Sequence, residues 1–202
     1  MGVRSQSIKE NTMCRSFIFL AEGFEEIEAI TVVDVLRRAG MDAKTVSITS
    51  DLNVTGAHGV TVAADMTMSE ADFSDAEWLI VPGGMPGASN LASDEAVCRV
   101  LKEHKGKIAA ICASPGVVLA PLGLLEGRDA TCYPGFEEMC KKGGAQMRDV
   151  PVMATRDLIT ANGPSAAMRF GLAIVANSLG DAIAQQVGSA MIFYPKTMNF
   201  YF

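Results

Sequence analysis

Short apolar runs alternate with amphipathic stretches along most of the chain. The runs at 16–21, 44–49, 78–82 and 107–111 predict strands of a sheet, and all of them except 44–49, whose apolar residues are Val46 and Ile48, are nearly continuous in apolar residues. Between the first two runs, apolar residues recur at helical spacing over 25–39, with acidic residues crowding the start and a glycine after the end. This alternation predicts an α/β fold, in which helices cover both faces of a mainly parallel sheet.

The other predicted elements are shorter or less regular. They are two hairpins (54–63 and 152–161), one strand (128–132) and three helices (93–105, 136–142 and 165–179). Ser93 opens the first of these helices and Ser165 opens the last. No repeat, linker or low-complexity block divides the chain. We therefore expect one domain over residues 15–195, between a loose N-terminal tail at 1–14 and a C-terminal tail at 196–202.

The run at 107–111 leads directly into Cys112, and helix-starting residues follow at once. Pro115 suits a first helical turn, and a sharp turn between a strand and a helix holds its central side chain beside backbone N–H groups. Such a nucleophile elbow would place the thiol near the positive end of a helix dipole, which is expected to lower its pKa. The alternative is a buried, inert cysteine that fills the end of the strand.

Composition and charge argue against several function classes. The 202 residues are 49% hydrophobic and carry a net charge of −6, without a basic patch of the kind that nucleic acid requires. The first apolar run is broken by Glu22, far short of the ~20 residues that a membrane span needs. We expect neither nucleic acid nor a membrane as a partner.

Cysteine and histidine usage bears on compartment and cofactors. Five cysteines without a C-x-x-C pair indicate neither a disulfide framework nor a zinc cluster, and they favour a reducing compartment such as the cytoplasm. The two histidines, His58 and His104, are not spaced as a metal pair. No metal and no other cofactor are expected. Cys132 is either a resolving thiol or an inert strand residue.

Ligands of open α/β sheets bind beyond the carboxyl ends of the strands, where the strand order reverses. If the order is of the 2-1-3-4-5 type, three loops meet there: the acidic loop after the first strand, the Gly83-Gly84 loop and the Cys112 elbow. Glycines let backbone N–H groups approach a ligand closely, as an oxyanion site requires, although a plain tight turn has the same sequence. Glu25 and Glu26 are expected to complement the helix N-terminus.

Three separated motifs together carry a family resemblance: Leu20–Glu28, Val81–Gly84 and Ala109–Pro115. Over about residues 16–194 the chain resembles the DJ-1/ThiJ/PfpI family of the glutamine-amidotransferase-like superfamily. The resemblance implies a flavodoxin-like three-layer sandwich, usually a homodimer, with a reactive cysteine at the elbow and a glutamate touching its sulfur. These roles fall on Cys112 and Glu28, and the oxyanion-binding amides on Gly84 and Ala113.

The sequence departs from the family pattern at two positions. Protease-like members have a histidine directly after the cysteine, where this chain has Ala113, so the dyad of a thiol peptidase is missing there. Many members have a histidine at the position of Tyr133, and tyrosine is a poor base near neutral pH. General-base help is then expected from Glu28, from water or from His58, for which the alternative is a surface or dimer-contact role.

The resemblance implies two possible functions. In the first, the chain is an enzyme of the glyoxalase III or deglycase type: the Cys112 thiolate adds to a small carbonyl such as methylglyoxal, and Glu28 moves the proton. In the second, it is an oxidative-stress sensor or chaperone whose Cys112 is oxidised to a sulfinate. A thiol peptidase or amidase is less favoured. Both main functions use the same two residues, so the sequence does not separate them.

Overall fold

A seven-stranded sheet forms the centre of the molecule in the computed structural model, which describes residues 14–193. In spatial order its strands are β10 (Val152–Ala154), β11 (Leu158–Ala161), β7 (Lys107–Ile111), β6 (Trp78–Val81), β1 (Arg15–Leu20), β2 (Asp42–Ser47) and β5 (Met66–Thr67). All neighbours run parallel except β10 and β11. The predicted mainly parallel sheet is confirmed, and its five central strands have the 2-1-3-4-5 order.

Smaller sheets and helices complete the described part of the chain. An antiparallel hairpin joins β3 (Asn53–Thr55) to β4 (Thr61–Ala63), and a parallel pair joins β8 (Asp129–Ala130) to β9 (Gln146–Met147). The α-helices are α1 (Glu26–Arg38), α2 (Gly87–Ser93), α3 (Glu95–Glu103), α4 (Glu137–Lys142), α5 (Ala167–Leu179) and α6 (Asp181–Ala190). A π-helical turn spans Pro115–Leu119, and a 3-10 turn spans Pro164–Ala166.

Helices flank the sheet and give a three-layer α/β architecture. One group consists of α5 packed against α1 and α6, and a second consists of α2 packed against α3 and the π-helical turn. The central strands carry the core: no residue of β6 is more than 1% exposed, and the last four residues of β1 are fully buried or nearly so. Burial of these apolar side chains on both faces of the sheet is the main stabilising contribution to the fold.

Three predicted features differ from the structure, and one helix was not predicted. Ser93 ends α2 instead of opening a helix, and Asp94 caps α3 by accepting the backbone N–H of Val97 at 2.9 Å. Ser165 lies in the 3-10 turn, so α5 begins two residues later without a side-chain cap. The strand predicted at 128–132 shortens to β8 and pairs outside the main sheet. The sequence analysis did not predict α6, whose small residues have a weak pattern.

The predicted tails fall almost entirely on residues 1–13 and 194–202, which lie outside the described residues. Within residues 14–193, no helix has both the length and the apolar character needed to cross a membrane.

Candidate active site

Three loops meet at the carboxyl ends of neighbouring strands β1, β6 and β7. The loop after β1 leads into α1, the loop after β6 contains Gly83 and Gly84, and the residue after β7 is Cys112. The backbone ties two of these loops together, because the N–H of Glu25 donates to the carbonyl of Gly83 at 2.9 Å. The predicted convergence of the three loops is therefore present in the structure.

Cys112 occupies a strained position at the end of its strand. Its φ angle is 65°, a left-handed conformation that a residue with a Cβ adopts only when its surroundings hold it there. Those surroundings include two backbone hydrogen bonds: the Cys112 N–H donates to Ala161 at 2.9 Å, and the Tyr133 N–H donates to the Cys112 carbonyl at 2.8 Å. The residue is only 8% exposed. The turn thus aims a single, nearly buried thiol at the loop junction.

Glu28 lies on the buried side of α1 and reaches the same junction. Its backbone N–H donates to the capping carboxylate of Glu25 at 2.8 Å, which fixes the first turn of the helix. Its side chain is 1% exposed, and Oε2 accepts the N–H of Gly83 at 2.8 Å. The Glu28 carboxyl and the Cys112 thiol are neighbours, because a Cβ at Gly83 would lie 2.7 Å from Oε2 of Glu28 and 3.1 Å from the Cys112 sulfur. The structure therefore brings together the two residues that the sequence analysis assigned to catalysis.

Gly83 and Gly84 are required at the junction for different reasons. A Cβ at Gly83 would lie 2.5 Å from the Cys112 Cβ and 2.7 Å from Oε2 of Glu28, so any side chain would separate the pair. Gly84 has a φ angle of 89°, and a Cβ there would lie 2.4 Å from the Glu25 nitrogen. The backbone amides of Gly84 and Ala113 lower the pKa of the Cys112 thiol. They are the two amides that the family resemblance assigned to an oxyanion site, and that role stays a prediction.

The ionisation of Glu28 is shifted toward neutrality. Burial raises the pKa of Glu28 to about 7, against hydrogen bonds from Gly83 and Cys112 that lower it. Its Oε1 atom is buried and has no hydrogen-bond partner within the described part of the chain. A carboxyl group with this pKa can hold or release a proton near neutral pH, as a general acid or base requires.

The expected lowering of the Cys112 pKa is wrong. Burial raises the pKa of Cys112 to about 12 and the Glu28 carboxylate adds to the rise, whereas the amides of Gly84 and Ala113 lower it. The segment after the thiol is a five-residue π-helical turn, too short for a strong helix dipole. The Glu28 carboxyl and the Cys112 thiol are two buried acidic neighbours, and repulsion between their charges favours a state in which only one of them is ionised. When Glu28 is protonated, its charge no longer opposes formation of the Cys112 thiolate.

The two predicted accessory side chains have other roles. His58 is exposed, and its Nδ1 hydrogen-bonds Oε2 of Glu26 at 2.8 Å, an interaction that raises the pKa of His58. Tyr133 is 45% exposed and supports Cys112 through its backbone N–H, while its ring lies beside Gly163. Among the described residues no side-chain hydrogen bond joins His58 or Tyr133 to Cys112, and an accessory role for either stays a prediction.

Glu25, Glu26 and His58 also form a grouping that could hold a metal ion, because each brings one ligand atom within 4.8 Å of the others. The hydrogen bond between His58 and Glu26 already uses the imidazole Nδ1. Acidic groups so arranged are common in proteins without a metal, so the expectation of a metal-free site stays a prediction.

The sequence analysis missed Ser114 as a supporting residue. Its side chain is fully buried, and Oγ donates to the carbonyl of Pro82 at 2.5 Å. The bond joins the residue after Ala113 to the residue before Gly83, and so fixes the thiol loop against the glycine loop. A polar residue inside an otherwise apolar stretch was the signal that could have identified it.

Comparison with known proteins gives matches of the sequence and of the fold to one family. A sequence model described as the DJ-1/PfpI family matches residues 15–177. The chain is 35% identical over 177 residues to Protein DJ-1 homolog B of Arabidopsis thaliana, an alignment that covers 86% of this chain and 40% of that protein. It is 33% identical over 183 residues to the Parkinson disease protein 7 homolog of Danio rerio, which covers 88% of this chain and 96% of that protein.

A solved structure of oxidized Toxoplasma gondii DJ-1 is similar to the whole fold. The two share 33% of residues with a TM-score of 0.84, over 89% of this chain and 98% of the other. In contrast, the chain spans less than half the length of the two Arabidopsis relatives that it matches.

Proposed function

Since the chain belongs to the DJ-1/PfpI family, we propose that it is a cysteine-dependent enzyme of small reactive carbonyls, of the glyoxalase III or deglycase type. The observation that carries the proposal is the placement of the Cys112 thiol and the Glu28 carboxyl together against Gly83, where the amides of Gly84 and Ala113 lower the pKa of the thiol. This junction combines a nucleophile, a proton carrier and donors for a developing negative charge.

The proposed reaction converts methylglyoxal and water into lactate. Sulfur adds to the aldehyde carbon, and the amides of Gly84 and Ala113 stabilise the resulting oxyanion. The single proton of the Cys112–Glu28 pair goes to that oxygen, which leaves Glu28 as the carboxylate. Glu28 then removes the hydrogen from the former aldehyde carbon and returns a proton to the neighbouring carbon. Water hydrolyses the thioester that results and restores the Cys112 thiol.

The environment of the pair supports this sequence of proton transfers. Glu28 is 1% exposed, so a proton that it holds exchanges slowly with bulk water. Its pKa of about 7 allows it to act as acid and as base at one pH. Cys112 is 8% exposed, which restricts direct attack to small or extended substrates.

The test is lactate production from methylglyoxal in buffer without glutathione. The wild-type chain should form lactate, Cys112→Ala should form none above the uncatalysed background, and the matched control Cys98→Ala should retain wild-type rates. Lactate formation by Cys112→Ala, or its absence from the folded wild-type protein, would contradict the proposal.

A second candidate, an oxidative-stress sensor, is favoured by the buried Oε1 of Glu28, which has no hydrogen-bond partner among the described residues. When protonated, this atom can donate to an oxygen bound to sulfur. The Cys112 thiolate would take one oxygen from each of two hydroperoxide molecules and so become a sulfinate, with release of water. Mild peroxide should then add the mass of two oxygen atoms at Cys112. Oxidation confined to the twelve methionines would count against the sensor.

A thiol peptidase has less support. The Bacillus subtilis protein named putative cysteine protease YraA is 29% identical over 149 residues. In this chain, however, His58 pairs with Glu26, and His104 lies beside Gly106, beyond the opposite end of the sheet strand that leads to Cys112. Neither histidine is placed to activate the thiol.

Assembly and location complete the proposal. We infer a homodimer with one domain per subunit, acting in a reducing compartment such as the cytoplasm. The five free cysteines support the reducing compartment, and an exposed apolar face on α1 supports the dimer.

A further inference from the structure

Three hydrogen bonds join Glu25, Gly83 and Glu28 in a closed ring. The Glu25 N–H donates to the Gly83 carbonyl at 2.9 Å, and the Gly83 N–H donates to Oε2 of Glu28 at 2.8 Å. The Glu28 N–H completes the ring by donating to Oε2 of Glu25 at 2.8 Å. Glu25 therefore holds the backbone of Glu28 directly, and it holds the glycine that binds the Glu28 carboxyl.

The ring places two glutamates together in the interior. Glu25 is 6% exposed and Glu28 is 1% exposed, although glutamates are seldom buried unless they are paired with a cation. Oε1 of Glu25 lies 4.0 Å from Nδ1 of His58, and that nitrogen hydrogen-bonds Glu26 at 2.8 Å. Shorter side chains such as aspartate, asparagine and serine are the preferred helix caps. Capping α1 alone therefore does not account for a buried glutamate at position 25.

We propose that Glu25 is a positioning residue of the reaction, whose buried carboxylate holds Glu28 against Gly83 and Cys112 and, as a like charge, favours the protonated form of Glu28. This inference rests on the proposed role of Glu28 as the proton carrier. The ring of hydrogen bonds determines where the Glu28 carboxyl lies, and the charge of Glu25 keeps a proton on it before substrate arrives.

The charges around Glu28 support the second contribution. Burial is the largest cause of the raised pKa of Glu28, and the charge of Glu25 adds to it, whereas the Cys112 thiol lowers it. Glu26 belongs to the same helical turn, but its Oε1 accepts the N–H of His58 at 2.7 Å and so faces the hairpin. Glu26 is therefore the matched control, with the same charge directed away from Glu28.

Two substitutions isolate the charge. Aspartate and asparagine have nearly the same shape and are both preferred helix caps, so Glu25→Asp and Glu25→Asn differ chiefly in charge. The measurement is the pH dependence of Cys112 alkylation by iodoacetamide, whose first step follows ionisation of the Cys112–Glu28 pair. In Glu25→Asn this step should lie at least about 0.5 pH unit below that of Glu25→Asp, because loss of a like charge lowers the pKa of Glu28. Glu26→Gln should keep the wild-type position of the step.

The positioning contribution is measured by lactate formation. Glu25→Ala breaks the ring and should lower kcat by about tenfold with little change in KM, whereas Glu25→Asp should retain most of kcat. Full kcat in Glu25→Ala would show that Glu25 does not position Glu28 and would overturn this part of the proposal.

The alkylation profiles decide the proposal whether or not the chain forms lactate. Identical profiles for Glu25→Asp and Glu25→Asn would overturn it, and so would an equal shift in Glu26→Gln, which would indicate a general charge effect at the start of α1. The comparison is repeated in a His58→Gln background, because the imidazole titrates in the same pH range. A difference that vanishes there would assign the step to His58 and would also overturn the proposal. If either short side chain prevents folding, Glu25→Gln against the wild type makes the same comparison at full side-chain length.

Discussion

At the scale of single residues, Glu28 differs from its acidic neighbours Glu25 and Glu26 in the groups that its carboxyl contacts. Glu25 caps α1 and Glu26 holds the hairpin that bears His58, whereas only Glu28 reaches Gly83 and Cys112. Burial of one carboxyl beside a thiol creates a group with a pKa near neutrality, and the other two carboxyls have no such neighbour. The specific chemistry of the site therefore depends on one of three adjacent glutamates.

Substitutions of Glu28 should distinguish its role in proton transfer from its role as a hydrogen-bond donor. Glu28→Gln keeps a donor but cannot carry a proton, so it should lose lactate formation by about 100-fold or more while Cys112 stays alkylatable. Glu28→Leu removes both, and should also change the alkylation rate of Cys112. Glu26→Gln, in the same helical turn, should retain most activity. Steady-state kinetics and iodoacetamide labelling provide the measurements, and full activity of Glu28→Gln would remove Glu28 from the reaction.

At the scale of elements, local pattern predicted most of the fold. The strands and the helix with strong periodicity, such as 78–82 and 25–39, lie within one residue of β6 and α1. The ambiguous boundaries were those at which two polar residues compete for one cap, as Ser93 and Asp94 do. Short separate strand pairs such as β8 and β9 depend on contacts between distant segments, which no local pattern records.

The same limit applies to the candidate site. The cysteine at the end of its strand came from the elbow pattern, and Glu28 from the family resemblance. The rise in the Cys112 pKa and the support from Ser114 were not predicted, because both result from groups that are distant in sequence and packed together. Burial and charge at a junction of three loops are properties of the tertiary structure.

The helix caps give a test at this scale. Asp94→Ala removes the bond to Val97 and should lower the free energy of unfolding by about 1 kcal/mol. Ser93→Ala loses only a bond to the carbonyl of Ser89 inside α2, and should change stability by less than about 0.5 kcal/mol. Urea denaturation of both variants compares them. A larger loss in the free energy of unfolding for Ser93→Ala than for Asp94→Ala would mean that Ser93, the residue predicted from the sequence, caps α3.

At the scale of the whole molecule, exposed apolar residues in two regions support a dimer. The sequence predicts apolar surface on 165–179 and 191–194, and Leu179 and Ile192 are 36% and 70% exposed there, although most of α5 is covered by α1 and α6 and Tyr194 lies outside the described residues. A second exposed group consists of Ile27, Ile30 and Val60, which are 54%, 41% and 53% exposed. Two of them share one face of α1, a surface that a second copy could cover.

Light scattering should give about twice the chain mass of 21.4 kDa for the wild type at micromolar concentration. Ile30→Glu places a charge on the exposed face of α1 and should shift the population toward monomer. The control Met139→Glu, equally exposed but on α4, should stay dimeric. A monomeric wild type, or equal effects of the two substitutions, would contradict an interface on α1.

The central claim is that Cys112 and Glu28 ionise as one unit, and the pH dependence of Cys112 alkylation tests it most directly. Iodoacetamide labelling, mapped to each cysteine, is followed from about pH 5 to about pH 11. Coupling predicts that the wild-type rate rises in two steps, first near the Glu28 pKa of about 7 and again toward the Cys112 pKa of about 12. Glu28→Gln should show a single step. One step at the same pH in both proteins would mean that the two groups ionise independently, and would contradict the account.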